Sequence, residues 1–367
     1  MNKLKIGIIG CGEIANGKHL PSLKAHSELC EIVAFCDLIE EKAVKAAKEY
    51  GTEDAKVYTD YRELLKDNTI DVVHVLTPNV AHAQITVDSL DAGKHVMCEK
   101  PMAATVEDAE KMLEAWKRSG KKLTIGYQNR FRPEVQNLKR ACEKGELGDI
   151  YYGKAHAVRR RAVPTWGVFP KKELQGGGPL IDIGTHALDL TLWMMDNYEP
   201  VSVTGSVFYK LGHLPEATEG NLWGPWDPET FEVEDSAMGF IKMKNGAAIA
   251  IEASWALNIT DSREASTTVC GTKAGAEIFS GTSYPEDKIV YNRSHNGQLM
   301  DETIAGGGRV AFFDGKSASP AYLECDQWLK CIIEDKDPVV SPEQAFVVTR
   351  ILEAIYRSAE EGHEIVF

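Results

Sequence analysis

Short apolar runs alternate with longer amphipathic stretches over the first third of the chain. Five runs rich in apolar and β-branched residues predict strands at residues 4–9, 32–36, 72–76, 95–98 and 123–126. Apolar residues at helical spacing predict helices at residues 40–50, 60–66, 81–92 and 106–119. Strands that alternate with helices need crossover connections, which indicates an α/β domain with a parallel sheet covered on both faces.

The pattern changes after Pro133. Alternation of apolar and polar residues predicts strands at residues 151–159, 201–209, 233–243, 247–255, 267–271 and 276–279. Asn245-Gly246 is a strong hairpin signal between two of these strands. Helical spacing predicts helices at residues 134–144, 180–195, 321–334 and 342–361. Strands joined by turns indicate an antiparallel sheet, so the second part of the chain is predicted to be α+β.

Length and charge narrow the possible partners. A chain of 367 residues is too long for one ordinary core and suits two domains. No run approaches the ~20 apolar residues of a membrane helix, so we expect no membrane partner. The net charge of −14 repels nucleic-acid phosphates, so we expect no nucleic-acid partner either.

Cysteine usage and the start of the chain bear on its compartment. The eight cysteines form no Cys-x-x-Cys pair and no zinc-like spacing, which is typical of reduced thiols. The chain runs from Met1 almost directly into the first predicted strand, without a charged leader and an apolar signal core. We therefore expect a cytoplasmic protein.

A glycine-rich turn follows the first predicted strand, with the sequence Gly10-Cys11-Gly12-Glu13-Ile14-Ala15. Gly10 permits a tight turn, Gly12 leaves room for a pyrophosphate, and the small Ala15 lets the next helix pack on the sheet. The start of that helix offers N–H groups and a positive dipole to phosphates. Pro21 falls inside this helix pattern and should shorten or kink it.

The second predicted strand ends in Asp37, about 20 residues beyond the glycine turn. Dinucleotide-binding folds have an acidic residue there, which accepts hydrogen bonds from the adenosine ribose. A carboxylate would repel the 2′-phosphate of NADP, and Leu38 supplies no compensating cation. The sequence therefore favours NAD over NADP. The alternative is that Asp37 merely caps a turn.

Two further turns follow predicted strands of the parallel sheet. The first holds Thr77, Pro78, Asn79 and His82, and the second is Glu99-Lys100-Pro101. Ligands of open parallel sheets bind beyond the carboxyl ends of the strands, so both turns should border the cofactor. The alternatives are a plain strand exit for the first turn and an ordinary surface lysine for the second.

Asp182 and His186 lie four residues apart on the predicted helix at 180–195, so they point the same way. A carboxylate beside an imidazole can fix the tautomer and raise the basicity of the ring, which suits a general base. Two alternatives remain, which are a structural hydrogen-bonded pair and a metal site that recruits Asp189. No Cys or further His at ligand spacing joins them, which disfavours the metal.

These motifs together resemble the glucose-fructose oxidoreductase and inositol dehydrogenase family over essentially the whole chain. The resemblance rests on the glycine turn, Glu99-Lys100-Pro101, the segment from Gly126 to Phe131, and the Gly-rich stretch before Asp182. It implies an NAD-binding Rossmann domain at 1–125. It also implies an α+β domain at 126–367 for substrate binding and oligomerisation, built on an open, mostly antiparallel sheet.

The resemblance also implies roles for single residues. Lys100 matches the family's active-site lysine, Asp182 its substrate-binding aspartate and His186 its acid/base histidine. From it we expect cofactor contacts from Glu99, Lys100 and Gln128, and substrate contacts from Lys100, Tyr127 and Arg130. Trp166 has no clear counterpart in the family, and we expect it to contact the substrate because an aromatic ring in a loop of the second domain can stack on a sugar. The family's members are mainly NAD(P)-dependent dehydrogenases of sugars and cyclic polyols, so we expect hydride transfer from a secondary hydroxyl.

Some questions stay open at this point. Trp166, Trp223 and Trp226 could stack on a sugar ring or pack against another subunit, and Arg159-Arg160-Arg161 could bind an anion or form a solvated edge. An exposed apolar sheet face would favour a homodimer or homotetramer. The alternatives in function are an NAD-dependent glycosidase that oxidises its substrate transiently and a non-catalytic sugar sensor.

Overall fold

A computed structural model describes residues 3–305 and 319–367. The chain folds into two compact units. The first contains the described residues up to Phe131 and those from Ser319 to Phe346, and the second contains 132–305 and 347–367. The sequence predicted a border at residue 125 and a contiguous second domain. By their packing, residues 126–131 and the helix after Ser319 belong to the first unit.

The strands of the first sheet are β1 (Leu4–Ile9), β2 (Cys30–Cys36), β3 (Lys56–Tyr58), β4 (Val72–Val75), β5 (His95–Cys98) and β6 (Leu123–Ile125). Those of the second sheet are β7 (Ile150–Val158), β8 (Pro200–Phe208), β9 (Ser236–Met243), β10 (Ala248–Ser254), β11 (Ser266–Gly271), β12 (Ala274–Gly281), β13 (Tyr284–His295), β14 (Gln298–Ala305) and β15 (Ile365–Val366).

The α-helices are α1 (Leu20–Ala25), α2 (Glu40–Tyr50), α3 (Tyr61–Leu65), α4 (His82–Asp91), α5 (Val106–Ser119), α6 (Pro133–Glu143), α7 (Lys172–Gln175), α8 (Thr185–Met195), α9 (Pro320–Ile333) and α10 (Pro342–Glu361). Among the described residues, no helix combines the length and the apolar character that crossing a bilayer requires.

The first unit is the predicted α/β domain. Its six strands lie in the order β3-β2-β1-β4-β5-β6 and every pair is parallel. The first helical segment changes from a π-helical turn at Ala15–His19 to α1, which has Pro21 in its first turn. The π-helical turn lies just before Pro21, where the sequence predicted a shortened or kinked helix. Helix α9 joins this core through Trp328 and Leu329, which are both fully buried.

The second unit is built on a nine-stranded sheet in the order β14-β13-β12-β11-β7-β10-β9-β8-β15. Among the strand pairs that the structure describes, β7 and β10 are parallel and the others are antiparallel, so the predicted open, mostly antiparallel sheet is confirmed. Asn245-Gly246 connects β9 to β10, as predicted. Helix α8 packs on the sheet, where the hydroxyls of Thr191 and Thr267 lie 2.7 Å apart.

Candidate active site

The glycine turn after β1 leaves room at the two positions that a dinucleotide needs. Gly10 has φ 95°, and a Cβ there would overlap the carbonyl oxygen of Leu76. A Cβ on Gly12 would meet no atom within 4 Å, so open space lies in front of that backbone. The chain is helical from Glu13 onward, through the partly exposed Ile14 to the fully buried Ala15. The turn therefore fits a pyrophosphate at the start of a helix.

Asp37 lies directly after β2 and is bonded to the glycine turn. Its Oδ2 accepts a hydrogen bond from the N–H of Cys11 at 2.8 Å, and its Oδ1 accepts one from Ile39 at 2.9 Å. A carboxylate has lone pairs for further donors, such as ribose hydroxyls. Leu38 is 92% exposed beside it. Together, these residues fit a dinucleotide without a 2′-phosphate.

The turn after β4 is tied to the turn after β5 by His82. Thr77, Pro78 and Asn79 follow the end of β4 and are partly or fully exposed, while His82 is only 1% exposed. The two ring nitrogens of His82 lie 2.8 Å from the carbonyl oxygen of Pro101 and 2.9 Å from that of Thr77. Burial lowers the pKa of His82. The imidazole is thus an internal tie, and the geometry does not favour the predicted cofactor contact.

Glu99 also points into the first unit, and its carboxylate is 4% exposed. One oxygen accepts from Lys18 at 2.6 Å and from His19 at 2.8 Å. The other oxygen accepts the backbone N–H of Lys100 at 3.1 Å, while Lys100 itself is partly exposed. The predicted cofactor contact of Glu99 is therefore replaced by contacts inside the protein, because its buried charge requires partners there.

The segment after β6 is buried more deeply than the sequence predicted. Tyr127 is 1% exposed, Gln128 5% and Arg130 0%. Gln128 accepts from Lys18 at 3.3 Å. Arg130 donates to the Val339 carbonyl and the Gln344 side chain. This burial argues against the predicted ligand contacts of all three residues, and its cause is the packing of α9 on the turn Gln128–Phe131.

Asp182 and His186 lie on adjoining helical segments of the second unit. The structure divides the predicted helix into a π-helical turn at Leu180–Gly184, which holds Asp182, and α8, which holds His186 in its first turn. π-Helical turns occur frequently at functional sites. Asp182 is partly exposed and accepts the indole N–H of Trp255 at 3.1 Å, and His186 is 9% exposed. Asp182 and His186 are thus polar side chains on one short and otherwise mainly apolar stretch.

Glu234 supports this stretch and was not identified from the sequence. Its carboxylate accepts the N–H groups of Gly178 and Leu180 at 2.8 and 3.1 Å and the hydroxyl of Tyr356 at 2.7 Å. Burial raises the pKa of Glu234. Gly178 has no room for a Cβ, which would overlap the Glu234 carbonyl oxygen. The Gly-rich stretch therefore allows this carboxylate to hold the start of the π-helical turn.

Aromatic side chains continue outward from Trp255. Its ring packs edge-on against Phe169 at 6.2 Å, and Phe169 packs against Trp166 at 6.0 Å. Trp166 in turn meets Trp223 edge-on at 4.8 Å, and these two rings are 36% and 39% exposed. Trp226, by contrast, is buried and donates to the carbonyl of Gly212. Trp166 and Trp223 thus form an exposed aromatic pair, called the tryptophan pair below.

The three arginines follow the end of β7 and have different surroundings. Arg159 pairs with Glu264 and lies 5.3 Å from the ring centre of Trp223. Burial opposes its charge, but Glu264 and, more weakly, Asp182 raise the pKa of Arg159. Arg160 is exposed, so the predicted solvated edge holds for that residue alone. Arg161 donates to Ala217 and Asn258.

A cavity of about 500 Å³ opens beside Arg160 and Arg161. None of the predicted site residues lines it; its walls include Glu219, Leu222 and Asn258.

Asp189, the third ligand of the alternative metal site, is 1% exposed. No group of three potential metal ligands occurs among the residues that the structure describes.

A parallel sheet whose first turn is glycine-rich and whose second strand is followed directly by an aspartate is typical of a dinucleotide-binding protein. The model of an oxidoreductase family with an NAD-binding Rossmann fold matches residues 4–127, and the model of its C-terminal alpha/beta domain matches residues 139–367. The chain belongs to this oxidoreductase family, which confirms the resemblance, and its first domain is the NAD-binding domain.

Single proteins of known name or structure are similar to this chain over nearly its whole length. The chain is 36% identical over 362 residues to a D-glucoside 3-dehydrogenase of Escherichia coli K12, which covers 99% of this chain and 97% of that protein. It is similar to the crystal structure of aldose-aldose oxidoreductase from Caulobacter crescentus in complex with glycerol, with a TM-score of 0.79, 26% identity and complete coverage of both chains. Levoglucosan dehydrogenase, solved with NADH and levoglucosan, shares the fold with a TM-score of 0.83 at 23% identity, covering 100% of this chain and 99% of that one.

Proposed function

We propose that this protein is an NAD-dependent dehydrogenase that oxidises a secondary hydroxyl of a sugar, with glycosides favoured over cyclic polyols. The observation that carries the proposal is the Asp182 carboxylate, held by Trp255 and followed one turn later by His186. A fixed carboxylate and an imidazole at this spacing suit the binding and deprotonation of a hydroxyl. The identity to a D-glucoside 3-dehydrogenase over nearly the whole chain supports the same substrate class.

The first domain is proposed to bind NAD through its glycine turn. Gly10, Gly12 and the helix start at Glu13 are assigned to the pyrophosphate, and Asp37 to the adenosine ribose. The turn at Thr77-Pro78-Asn79 is assigned to the border of the cofactor. The absence of a cation at Leu38 supports NAD over NADP. Bound NAD supplies the acceptor for the hydride that leaves the substrate carbon.

The proposed residues of the reaction divide the remaining work. His186 accepts the proton of the substrate hydroxyl as general base. Asp182 orients the imidazole or binds a neighbouring hydroxyl. Lys100 stabilises the negative charge that develops on the substrate oxygen. These three roles are carried over from the family resemblance, and the burial of Tyr127 and Arg130 favours support rather than ligand contact for those two.

The tryptophan pair is proposed to contact the substrate beyond the reacting ring. Aromatic faces stack on the C–H faces of sugars, and a rigid pair needs little reordering on binding. Asn221 bonds the backbone of Val163 and Gly224, and the hydroxyl of Thr165 donates to the carbonyl of Trp223. These bonds hold the backbone around the pair, while the rings contact each other and Arg159 lies over Trp223. This arrangement supports a glycoside with a substituent long enough to reach the two rings.

A spectrophotometric screen with NAD over aldoses, methyl and aryl glucosides, inositols and sugar acids tests the proposal. We expect net NADH formation with a glucoside. NAD binding without turnover of any compound would instead indicate a sensor, and cleavage of an aryl glucoside without net NADH would indicate a glycosidase. In the His186→Ala variant, saturated with NAD, we expect slow NADH formation with unchanged NAD affinity; NADH formation at the parent rate would exclude His186 as the base.

We further propose a cytoplasmic homodimer or homotetramer. Met238 and Phe240 project from the face of β9 opposite to the buried Ala237 and Ile241, and they are 40% and 44% exposed. Neighbouring apolar side chains of this size on a sheet face favour a protein interface. Light scattering during gel filtration measures the assembly, and a Phe240→Lys variant should shift it toward the monomer.

A further inference from the structure

A buried ionic cluster lies behind the turn that carries Lys100, and it has no part in the chemistry proposed above. Its members come from five segments of the first unit and are Lys18, His19, His74, Glu99, Gln128 and Glu324. Each is at most 5% exposed. Buried charge at this density requires a compensating structural or functional gain, since isolated burial of any member would be costly.

Lys18 is the centre of the cluster. Its ammonium group lies 2.6 Å from Glu99, 2.9 Å from Glu324 and 3.3 Å from the Gln128 oxygen. Burial opposes its charge, but the two carboxylates outweigh that effect and raise the pKa of Lys18. An ammonium group has three protons, so these three acceptors use all of them.

The two histidines extend the cluster, and the donor and acceptor of each of their hydrogen bonds can be assigned. The ionised Glu99 carboxylate can only accept, so His19 donates to it through Nε2 at 2.8 Å. Burial lowers the pKa of His19, so its ring is neutral and its Nδ1 must accept. His74 Nδ1, at 3.1 Å, supplies that proton. The side of Glu99 that faces Lys18 is therefore saturated.

The other oxygen of Glu99 reaches the turn. It accepts the backbone N–H of Lys100 at 3.1 Å. Because the two oxygens belong to one rigid carboxylate, the cluster that fixes the first oxygen also fixes the position of the second. We propose that Lys18, Glu99 and Glu324 are positioning residues, which hold the backbone of Lys100 and thereby aim its side chain at the substrate. This inference rests on the role proposed for Lys100 in sugar oxidation.

Two variants perturb the carboxylate in different ways. Glu99→Gln keeps the shape but has one acceptor oxygen instead of two, so it must lose either the Lys18 side or the Lys100 side. Gly126→Ala keeps every charge, but its Cβ would lie 2.9 Å from Glu99 Oε1 and must displace that carboxylate. The matched controls are Glu110→Gln on the exposed face of α5 and Gly17→Ala, whose Cβ meets no atom within 4 Å.

The first readout is hydrogen exchange of the Lys100 amide in the NAD-free protein, measured by mass spectrometry on peptides that end on either side of it. We expect faster exchange in Glu99→Gln and Gly126→Ala and parent-like exchange in both controls. Unchanged exchange in both test variants would overturn the proposal without any bearing on the enzyme's substrate. If one test variant does not fold, the other carries the measurement.

The second readout is a double-mutant cycle with Lys100→Ala, using methyl D-glucoside and NAD. In the parent background, each test variant should lower kcat by roughly 10- to 100-fold, because a misplaced group loses that much, while the Kd for NAD is unchanged. In the Lys100→Ala background the same variants should cost nothing further. Additive losses, or a rise in the Kd for NAD that matches the loss in kcat, would overturn the positioning role alone. Unchanged kcat in Lys100→Ala itself would overturn the function proposed for Lys100 as well.

Discussion

The titration of Glu324 makes the folding stability of the protein depend on pH, and this dependence measures the cost of burying its charge. Burial, partly offset by Lys18, raises the pKa of Glu324 from 4.5 to about 7. The groups that face it are Lys18 and Glu99. A carboxyl group whose pKa is raised by folding binds its proton more tightly in the folded state, so folding stability falls as pH rises from about 4.5 to about 7.

The magnitude follows from the shift. A shift of about 2.5 units at ~1.36 kcal/mol per unit corresponds to a loss of about 3 kcal/mol by pH 8, relative to a group that never ionises. Glu324→Gln is such a group with nearly the same shape. We therefore expect the free energy of unfolding of the variant, relative to the parent, to rise by about 3 kcal/mol between pH 4.5 and pH 8.

Urea unfolding of the parent and of Glu324→Gln at several pH values between 4.5 and 8 measures this difference. A constant offset between the two proteins is irrelevant, because only its change with pH reports the titration of Glu324. The exposed Glu110→Gln variant should show no such change. A difference that stays constant from pH 5 to pH 8, or that moves in favour of the parent, would refute the reasoning.

Three further changes test single contacts. Trp255→Phe removes the indole N–H that Asp182 accepts, and a hydrogen bond to a charged group contributes ~1.5–3 kcal/mol. We therefore expect kcat/KM to fall roughly 10- to 100-fold with unchanged NAD affinity. A variant with the kinetics of the parent would contradict the role of Asp182. Asp37→Ala should weaken NAD more than NADP, measured as the ratio of their KM values; a constant ratio would exclude the ribose contact. Gly178→Ala places a Cβ against the Glu234 carbonyl oxygen, so one of the two backbone segments must move away from the other. We expect thermal unfolding to show a loss of ~1–3 kcal/mol in stability. An unchanged Tm would contradict this tight packing.

Elements with a strong local pattern were predictable from sequence. The bounds of β1, α2, α5 and α10 agree with the prediction to the residue, because apolar periodicity and an N-cap such as Thr105 are local signals. The hairpin of β13 and β14 was missed although Asn296-Gly297 joins its strands with φ 50° and 77°. Its strands are largely polar, so the alternation that indicates a half-buried strand is weak there.

The candidate site divides in the same way. The glycine turn, Asp37 and the pair Asp182 and His186 could be identified, since each consists of a few residues at fixed spacing on one predicted element. Trp255, which donates to Asp182 across 73 positions, could not. Nothing in a single sequence indicates which distant donor a carboxylate will meet.

The amino-acid sequence by itself determined the class of fold, the dinucleotide motif and the chemistry available after each strand. Only the tertiary structure decided which polar side chains turn inward. Glu99 and Arg130 were both expected at a ligand. Glu99 instead bonds Lys18, 81 positions away, and Arg130 bonds Val339, 209 positions away. The physical reason is that a charged side chain is buried only where its partners converge, and that convergence depends on how α9 returns to the first sheet.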